Sequence, residues 1–370
     1  MAADLGTDQV MFDKDEQGGS EPFVRGSSGS ALESAVAELP REVQTTSCDT
    51  FIPARAIANA HIQTVVGTIV TGASMRDFPH TVHRRVAVSD GDYVVLNDDE
   101  PEDWTRGSHV VLMLHGLSGC RNSGYMMRIA RKLNEQGVRT FRMDHRGCGA
   151  AEGLASYPYH AGRIDDLHRS VEAIERLCPG SAISVVGFSL SGNLLLRYLG
   201  DHSFDHSRNL FRAVAVCPPV DLKHCVSQLE RTRAGQRYDW YFTRRLIEQI
   251  SNGPQWRDDV PLAKTKRLPR RLYDFDDMYT APASGFDSAD HYYQFASSAQ
   301  CIGAIRTPTT VLAATDDPLV CVKPLQSVSL PSSVSMCLTE YGGHLGFIGR
   351  PGNDQDRRWM DWRVMEWLLN

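Results

Sequence analysis

From about residue 80 onward, short apolar runs alternate with longer stretches in which apolar positions recur every three or four residues. "TVHRRVAVSDGDYVVLND" alternates with period two on either side of Asp90-Gly91, which predicts two short strands joined by a tight turn. "HVVLMLHG" is continuously apolar, the pattern of a strand covered on both faces. In "SGYMMRIARKLNEQG", Met126, Ile129, Ala130 and Leu133 lie at helical spacing, and Gly137 is placed to end that helix. "VRTFRMD" reads as the next strand. "GRIDDLHRSVEAIERL" reads as a helix with Ile164, Leu167, Val171, Ile174 and Leu177 on one face. "AISVVGFS", "LSGNLLLRYLG" and "FRAVAVCPP" continue as strand, helix and strand.

This rhythm breaks between about Val220 and Ala304, where the chain is polar, Arg-rich and aromatic and lacks a buried-strand pattern. "YDWYFTRRLIEQI" reads as an amphipathic helix there, and "PLAKTKRLPRRLYDFDDMYTAP" as loop with short helix. The alternation resumes with strand "TTVLAATDD", strand "SVSMCLTEY" and a closing helix "DQDRRWMDWRVMEWLL". Strands alternating with helices predict an α/β fold, with a mostly parallel central sheet and helices on both faces. The interruption predicts a helical cap over one end of the sheet. The expected boundaries are a mobile polar leader over 1–46, the first part of the core over 47–219, the cap over 220–304, and the rest of the core over 305–370. "FIPARAIANAHIQTVVGTIV" lies inside the first core part and mixes helix and turn signals.

Bulk properties narrow the classes of partner. The chain has 370 residues, 42% hydrophobic and 23% charged, with a formal net charge of -6. No basic stripe favours nucleic acid, and no polybasic segment favours an anionic membrane. No stretch reaches the roughly 18 apolar residues of a membrane span, so stable membrane insertion is not expected. The acidic N-terminus lacks the pattern of a signal peptide. The nine cysteines are scattered, with no CxxC and no zinc spacing, which predicts reduced thiols in a cytoplasmic protein and no bound metal. Nothing in the pattern sets an oligomeric state.

In such sheets, function collects at the carboxyl ends of the strands, and the candidate chemistry lies there. "GFSLSG" follows an apolar strand and opens a helix, so Ser189 stands where a sharp turn exposes a hydroxyl. The string alone is a common one, and an ordinary strand-to-helix turn is the competing reading. Gly is usual two residues after such a serine; here Ser191 occupies that place, which predicts slight crowding rather than loss of the turn. A serine nucleophile needs a base, and in this fold the chain order is Ser, acid, His. "EYGGHLGF" supplies His344 after the last strand, although a lone loop histidine is commonly only structural. "VLAATDDPLV" supplies two acids, Asp316 and Asp317. Neighbouring side chains at a strand end point different ways, so one of them faces His344; Asp317, at the start of the turn, is favoured. Two N–H groups for a developing oxyanion are expected from Leu117, in "LMLHGLSGC", and from Leu190. Those donors are backbone atoms, so side-chain identity around His115-Gly116 says little about them. "MDHRGCG" is read as a structural turn braced by Asp144 and Arg146.

Taken together, these residues resemble the α/β-hydrolase superfamily, and within it the YheT-like branch of carboxylesterases. That branch includes animal α/β-hydrolase-domain proteins acting on medium-chain and oxidatively shortened phospholipids. "FIPARAIANAHIQTVVG", "LHGLSG", "DHRGCG", "GFSLSGN", "CPPVDL", "FDDMYTAPASGFDSADHYY", "ATDDPLV" and "YGGHLGF" follow in the branch's order, from about Phe51 to the C-terminus. The resemblance implies an α/β-hydrolase fold and a Ser189, Asp317, His344 triad acting on small acyl esters without cofactor or metal. Two departures stand out: Ser191 in the elbow, and a leader without the membrane anchor of the animal relatives. The cap carries eleven aromatics expected to pack the cap or line an acyl pocket: Tyr238, Trp240, Tyr241, Phe242, Tyr273, Phe275, Tyr279, Phe286, Tyr292, Tyr293 and Phe295. Its arginines (Arg231, Arg233, Arg244, Arg245, Arg270 and Arg271) are expected on a solvated face. The leading expectation is hydrolysis of short- to medium-chain acyl esters. Acyl transfer, phospholipase-like hydrolysis and a catalytically silent binding module are the alternatives.

Overall fold

The computed structural model describes residues 50–69, 78, 80–251, 253–265 and 267–370. The leader expected over 1–46 lies outside the described residues. Helix α1 (Ala60–Ile69) precedes the sheet. Strands β1 (Val82–Ala87) and β2 (Tyr93–Asp99) form the expected hairpin, with Gly91 in the left-handed region at φ 88°. The sheet continues with β3 (Val110–Leu114), β4 (Arg139–Asp144), β5 (Ile183–Phe188), β6 (Leu210–Val216), β7 (Thr309–Ala314) and β8 (Val334–Thr339). Their spatial order is β1-β2-β4-β3-β5-β6-β7-β8. β2 runs antiparallel to both neighbours, and every pairing from β4 to β8 is parallel. The order turns back at β3, so the loops after β3 and β5 leave adjacent strand ends side by side. Such reversal points are where α/β sheets bind ligands.

The apolar runs are apolar because both faces are covered. Residues alternate sides along a strand. On one face Val110, Leu112 and Leu114 pack with Leu167 and Ile174 of α3 (Ile164–Leu177) and with Leu195 of α4 (Leu190–Gly200). On the other face Val111 and Met113 pack with Met126 and Ile129 of α2 (Gly124–Asn134) and with Val364 of the closing helix.

Between β6 and β7 lie α5 (Leu222–Leu229), α6 (Arg233–Ser251) and α7 (Ala289–Ala296), joined by short turns and no strand among the described residues. Their buried residues form a third apolar cluster, which Tyr159 and Ala161 tie to the core. α6 begins earlier than its apolar spacing predicts, because Thr232 Oγ1 accepts the Gly235 N–H at 2.9 Å and caps it. The closing helix, α8 (Trp359–Leu369), begins later than predicted. Asp356 Oδ1 accepts the Arg358 N–H at 2.8 Å and the Trp362 Nε1–H at 2.9 Å, a local arrangement that competes with helix.

Two structural expectations can be followed residue by residue. The fully buried Arg146 guanidinium binds Asp166 at 2.6 and 2.7 Å, Asp90 at 2.6 Å and Asp92 at 2.9 Å, bracing the loop after β4. Seven cysteines are free thiols, as their scatter suggests. Cys337 on β8 departs from that reading and is disulfide-bonded, a pairing that no spacing in the sequence encodes. Among the described residues, no helix is long and apolar enough to cross a membrane.

Candidate active site

Ser189 joins β5 to α4 with φ 54° and ψ -119°, a conformation that a residue with a side chain adopts only under constraint. The constraint is the closeness of strand and helix. A Cβ on Gly187 would lie 2.3 Å from the Ser191 carbonyl oxygen, and one on Gly192 3.2 Å from Pro218. The tight contacts therefore fall on Gly187 and Gly192, and the position of Ser191 tolerates a side chain. The turn is kept, and the Ser191 hydroxyl has partners there. Ser191 Oγ donates to the His115 carbonyl at 2.5 Å and accepts from His145 Nε2 at 2.8 Å. The His145 ring stacks on Tyr159 at 5.4 Å. Burial holds His145 well below the usual histidine range, so the ring is neutral.

His344 sits in a turn whose two glycines are required. A Cβ on Gly343 would meet the Ala60 carbonyl at 2.4 Å, because α1 runs directly against this loop. Thr64 of α1 accepts the His344 N–H at 2.9 Å. Gln63 makes a two-point amide clamp on Ile348, donating to its carbonyl at 3.0 Å and accepting its N–H at 2.8 Å. Asp316 Oδ1 accepts the Gly343 N–H at 2.8 Å.

These supports bring three side chains into a line. His344 Nδ1 lies 2.7 Å from Asp317 Oδ2, and His344 Nε2 lies 2.8 Å from Ser189 Oγ. The other Asp317 oxygen accepts the N–H groups of Leu319 at 2.8 Å and Val320 at 3.0 Å, which fixes the carboxylate. Of the two adjacent acids, Asp317 faces the imidazole and Asp316 braces the loop. Cys217, Asp317 and His344 also place ligand-type atoms within 4.8 Å of one another. Burial, with the Asp317 charge adding, pushes the Cys217 thiol well up.

Leu190 is the first residue of α4, so its N–H has no partner within the helix. In the β3 loop, Tyr125 OH accepts the Gly116 N–H at 3.0 Å and Tyr159 OH accepts the Ser118 N–H at 2.8 Å. The Leu117 N–H between them has no protein acceptor among the described residues. Both leucines line the cavity that opens on Ser189 and His344. Asp144 takes the N–H groups of Arg121 at 2.6 Å and Ala150 at 2.8 Å, the bracing role expected of it.

The cavity measures about 950 Å³, counting its open mouth, and is walled largely by Leu, Val and aromatic side chains. Of the cap aromatics, Phe242, Phe275, Tyr279, Tyr292 and Tyr293 line it. Trp240 and Tyr241 are 48% and 52% exposed and face outward, as do the cap arginines. Sequence reasoning missed Gln63, Thr64, His115 and His145. The last two stood inside recognised motifs, but the parts assigned there went to Leu117, Asp144 and Arg146. The buried His115 ring accepts the His145 N–H at 3.3 Å and so ties the loop after β3 to the loop after β4.

Comparison with known proteins agrees with this architecture. A family described as alpha/beta hydrolase fold matches residues 109–351. YheT of Escherichia coli (strain K12), named as an esterase, is 30% identical over 86% of this chain and 92% of its own length. The Saccharomyces cerevisiae medium-chain fatty acid ethyl ester synthase/esterase 2 is 27% identical over 70% of this chain and 62% of its own. Among solved structures, a Pyrococcus furiosus esterase superposes with a TM-score of 0.51 at 18% identity, covering 78% of this chain and 90% of that one. The chain belongs to the alpha/beta hydrolase fold family and is an enzyme of its esterase and lipase type.

Proposed function

We propose that this protein hydrolyses short- to medium-chain acyl esters through a Ser189-His344-Asp317 triad, with the helices over 220–304 serving as its cap. One observation carries the reading. The continuous hydrogen-bond line from Asp317 through His344 to Ser189 ends in the wall of a largely apolar cavity.

In this mechanism Ser189 Oγ attacks the ester carbonyl while His344 Nε2 takes its proton. Asp317 holds the imidazole by Nδ1–H and stabilises the imidazolium. The N–H groups of Leu117 and Leu190 receive the oxyanion. The C–O bond to the alcohol breaks, His344 returns the proton to the leaving oxygen, and an acyl-enzyme remains. Water, deprotonated by His344, then releases the acid and restores Ser189. The chemistry calls on no cofactor. Ser189→Ala, assayed on a panel of p-nitrophenyl acyl esters, is expected to remove turnover across the panel. Unchanged turnover would overturn the assignment.

A second reading keeps the acyl-enzyme and replaces water by an alcohol. The yeast relative, named a synthase as well as an esterase, and the apolar cavity wall support it. Partitioning of product toward an ethyl ester when ethanol is added would distinguish the two.

A further inference from the structure

Between α6 and α7 the chain winds into a π-helical turn over Asp276–Thr280, inside the motif "FDDMYTAP". π-helical turns are rare and concentrate at functional sites. This one presents Asp276, Tyr279 and Thr280 to the cavity that also holds Ser189 and His344. Tyr279 spends its proton on the Gln255 carbonyl, outside the question. Asp276 does not have the company a carboxylate in such a wall needs.

Its carboxylate accepts from Tyr293 OH at 2.7 Å and from the Thr280 side chain. Two hydroxyl donors leave about half of its roughly four acceptor positions open. Among the described residues it has no cationic partner; the other charged group it feels is a second acid, Asp239, and the phenols of Tyr292 and Tyr293 feel it in turn. Burial pushes its pKa up to about 6. A wrapped carboxylate without a counter-charge is costly to keep. The remaining walls of the cavity, from α5, α6 and the loop after Asp317, are mostly apolar. A site built only for a plain hydrocarbon chain gains nothing from it.

We propose that Asp276, oriented by Tyr293 and Thr280, is a subsite that selects esters carrying a hydroxyl or ammonium group remote from the scissile carbonyl. The donor completes the open side of the half-buried carboxylate, and a substrate lacking it covers that acceptor without pairing it, which is a strong form of substrate discrimination. The proposal rests on the ester-hydrolase reading above. It adds a polar recognition point to the apolar cavity and gives the π-helical turn a purpose.

The test uses the full chain and pairs of esters of equal length. One pair is p-nitrophenyl acyl esters ending in a methyl or in a hydroxyl or ammonium group. The other places the donor on the alcohol side, as butanoates of butanol and of butanediol, followed by acid release. In at least one pair, kcat/KM for the donor-bearing ester is expected to exceed that of its plain partner by about tenfold or more, the range of a hydrogen bond to a charged group. The responding pair identifies which side of the ester reaches Asp276. Asp276→Asn is expected to collapse the ratio for the ammonium ester toward one. Tyr293→Phe, which leaves the carboxylate in place but unpins it, is expected to lower the ratio by a smaller factor, and it keeps the test decisive if Asp276→Asn does not fold. Equal rates within both pairs, or a ratio that neither variant moves, would overturn the subsite while leaving the esterase intact. Failure of the wild-type protein to turn over any of the esters would remove the underlying reading itself.

Discussion

The turns around Ser189 and His344 and the cavity wall of the cap are held by different means. In the turns, each constrained backbone is tied by hydrogen bonds from distant segments: Gln63 and Thr64 on the His344 loop, Asp316 on Gly343, Ser191 across to His115 and His145. In the cap wall, the long helix α6 packs beside short helical turns, and ring contacts such as Phe275–Tyr279 at 5.4 Å and Tyr292–Tyr293 at 5.2 Å join side chains of the turns and of α7. The difference separates tasks. Acyl chemistry needs reacting atoms held in one geometry, whereas a binding wall needs shape and a few placed polar groups.

Breaking the line at its centre has the largest expected effect. His344→Ala should lower kcat by about 10⁴-fold or more while leaving thermal unfolding nearly unchanged. A small loss would mean that the hydrogen-bonded line is structural. Next come the ties. Gln63→Leu removes both ends of the clamp on Ile348, and a reacting group displaced by about 1 Å costs around a hundredfold in rate. The variant should therefore lose roughly ten- to a hundredfold in kcat, with KM changed much less. Equal kcat with only a lower Tm would reduce α1 to a scaffold. Smaller still is Ser191→Gly. Glycine is usual at this place in such turns, so the expected cost falls on stability rather than on chemistry. It strands the buried His145 Nε2–H and the His115 carbonyl, which calls for about 1–3 kcal/mol of destabilisation by denaturant unfolding, with activity reduced only a few-fold.

The two regions were also unequally legible. β3, β5 and β7 could be read because a strand covered on both faces is apolar along its length; Ser189 and Asp317 could be read because each follows such a strand, and His344 because it follows the last strand, β8. Their supports could not. Gln63 and Ile348 are 285 residues apart, and no local pattern links them. Ser191, His115 and His145 meet only because β3, β4 and β5 are neighbours in an order that sequence spacing does not reveal. In the cap, Tyr293 and Trp240 look alike in sequence, yet one lines the cavity and the other is 48% exposed. The start of α6 was missed because its capping residue, Thr232, lies outside the amphipathic run. The π-helical turn has no sequence signal of its own.

pH offers the gentlest way to pull the regions apart. Burial pushes the Asp239 and Asp276 carboxyls, both in the cap, up to about 6 from an ordinary value of 3.8. For an acid whose folded pKa is raised, the folded state holds the proton more tightly. The stability it contributes is present at low pH and is lost as pH rises from about 4 through 6. Amide exchange of α6 and α7 should accordingly quicken relative to the sheet between about pH 4 and pH 6, and Asp239→Asn should flatten that dependence. A cap whose protection rises over the same range would contradict the burial of these acids.

The central claim is that Ser189 is the nucleophile, and a fluorophosphonate probe tests it most directly. The account expects one phosphonyl group per chain, on the peptide containing Ser189, and none on folded Ser189→Ala protein. Labelling that persists in that variant, or folded wild-type protein that resists the probe, would contradict it.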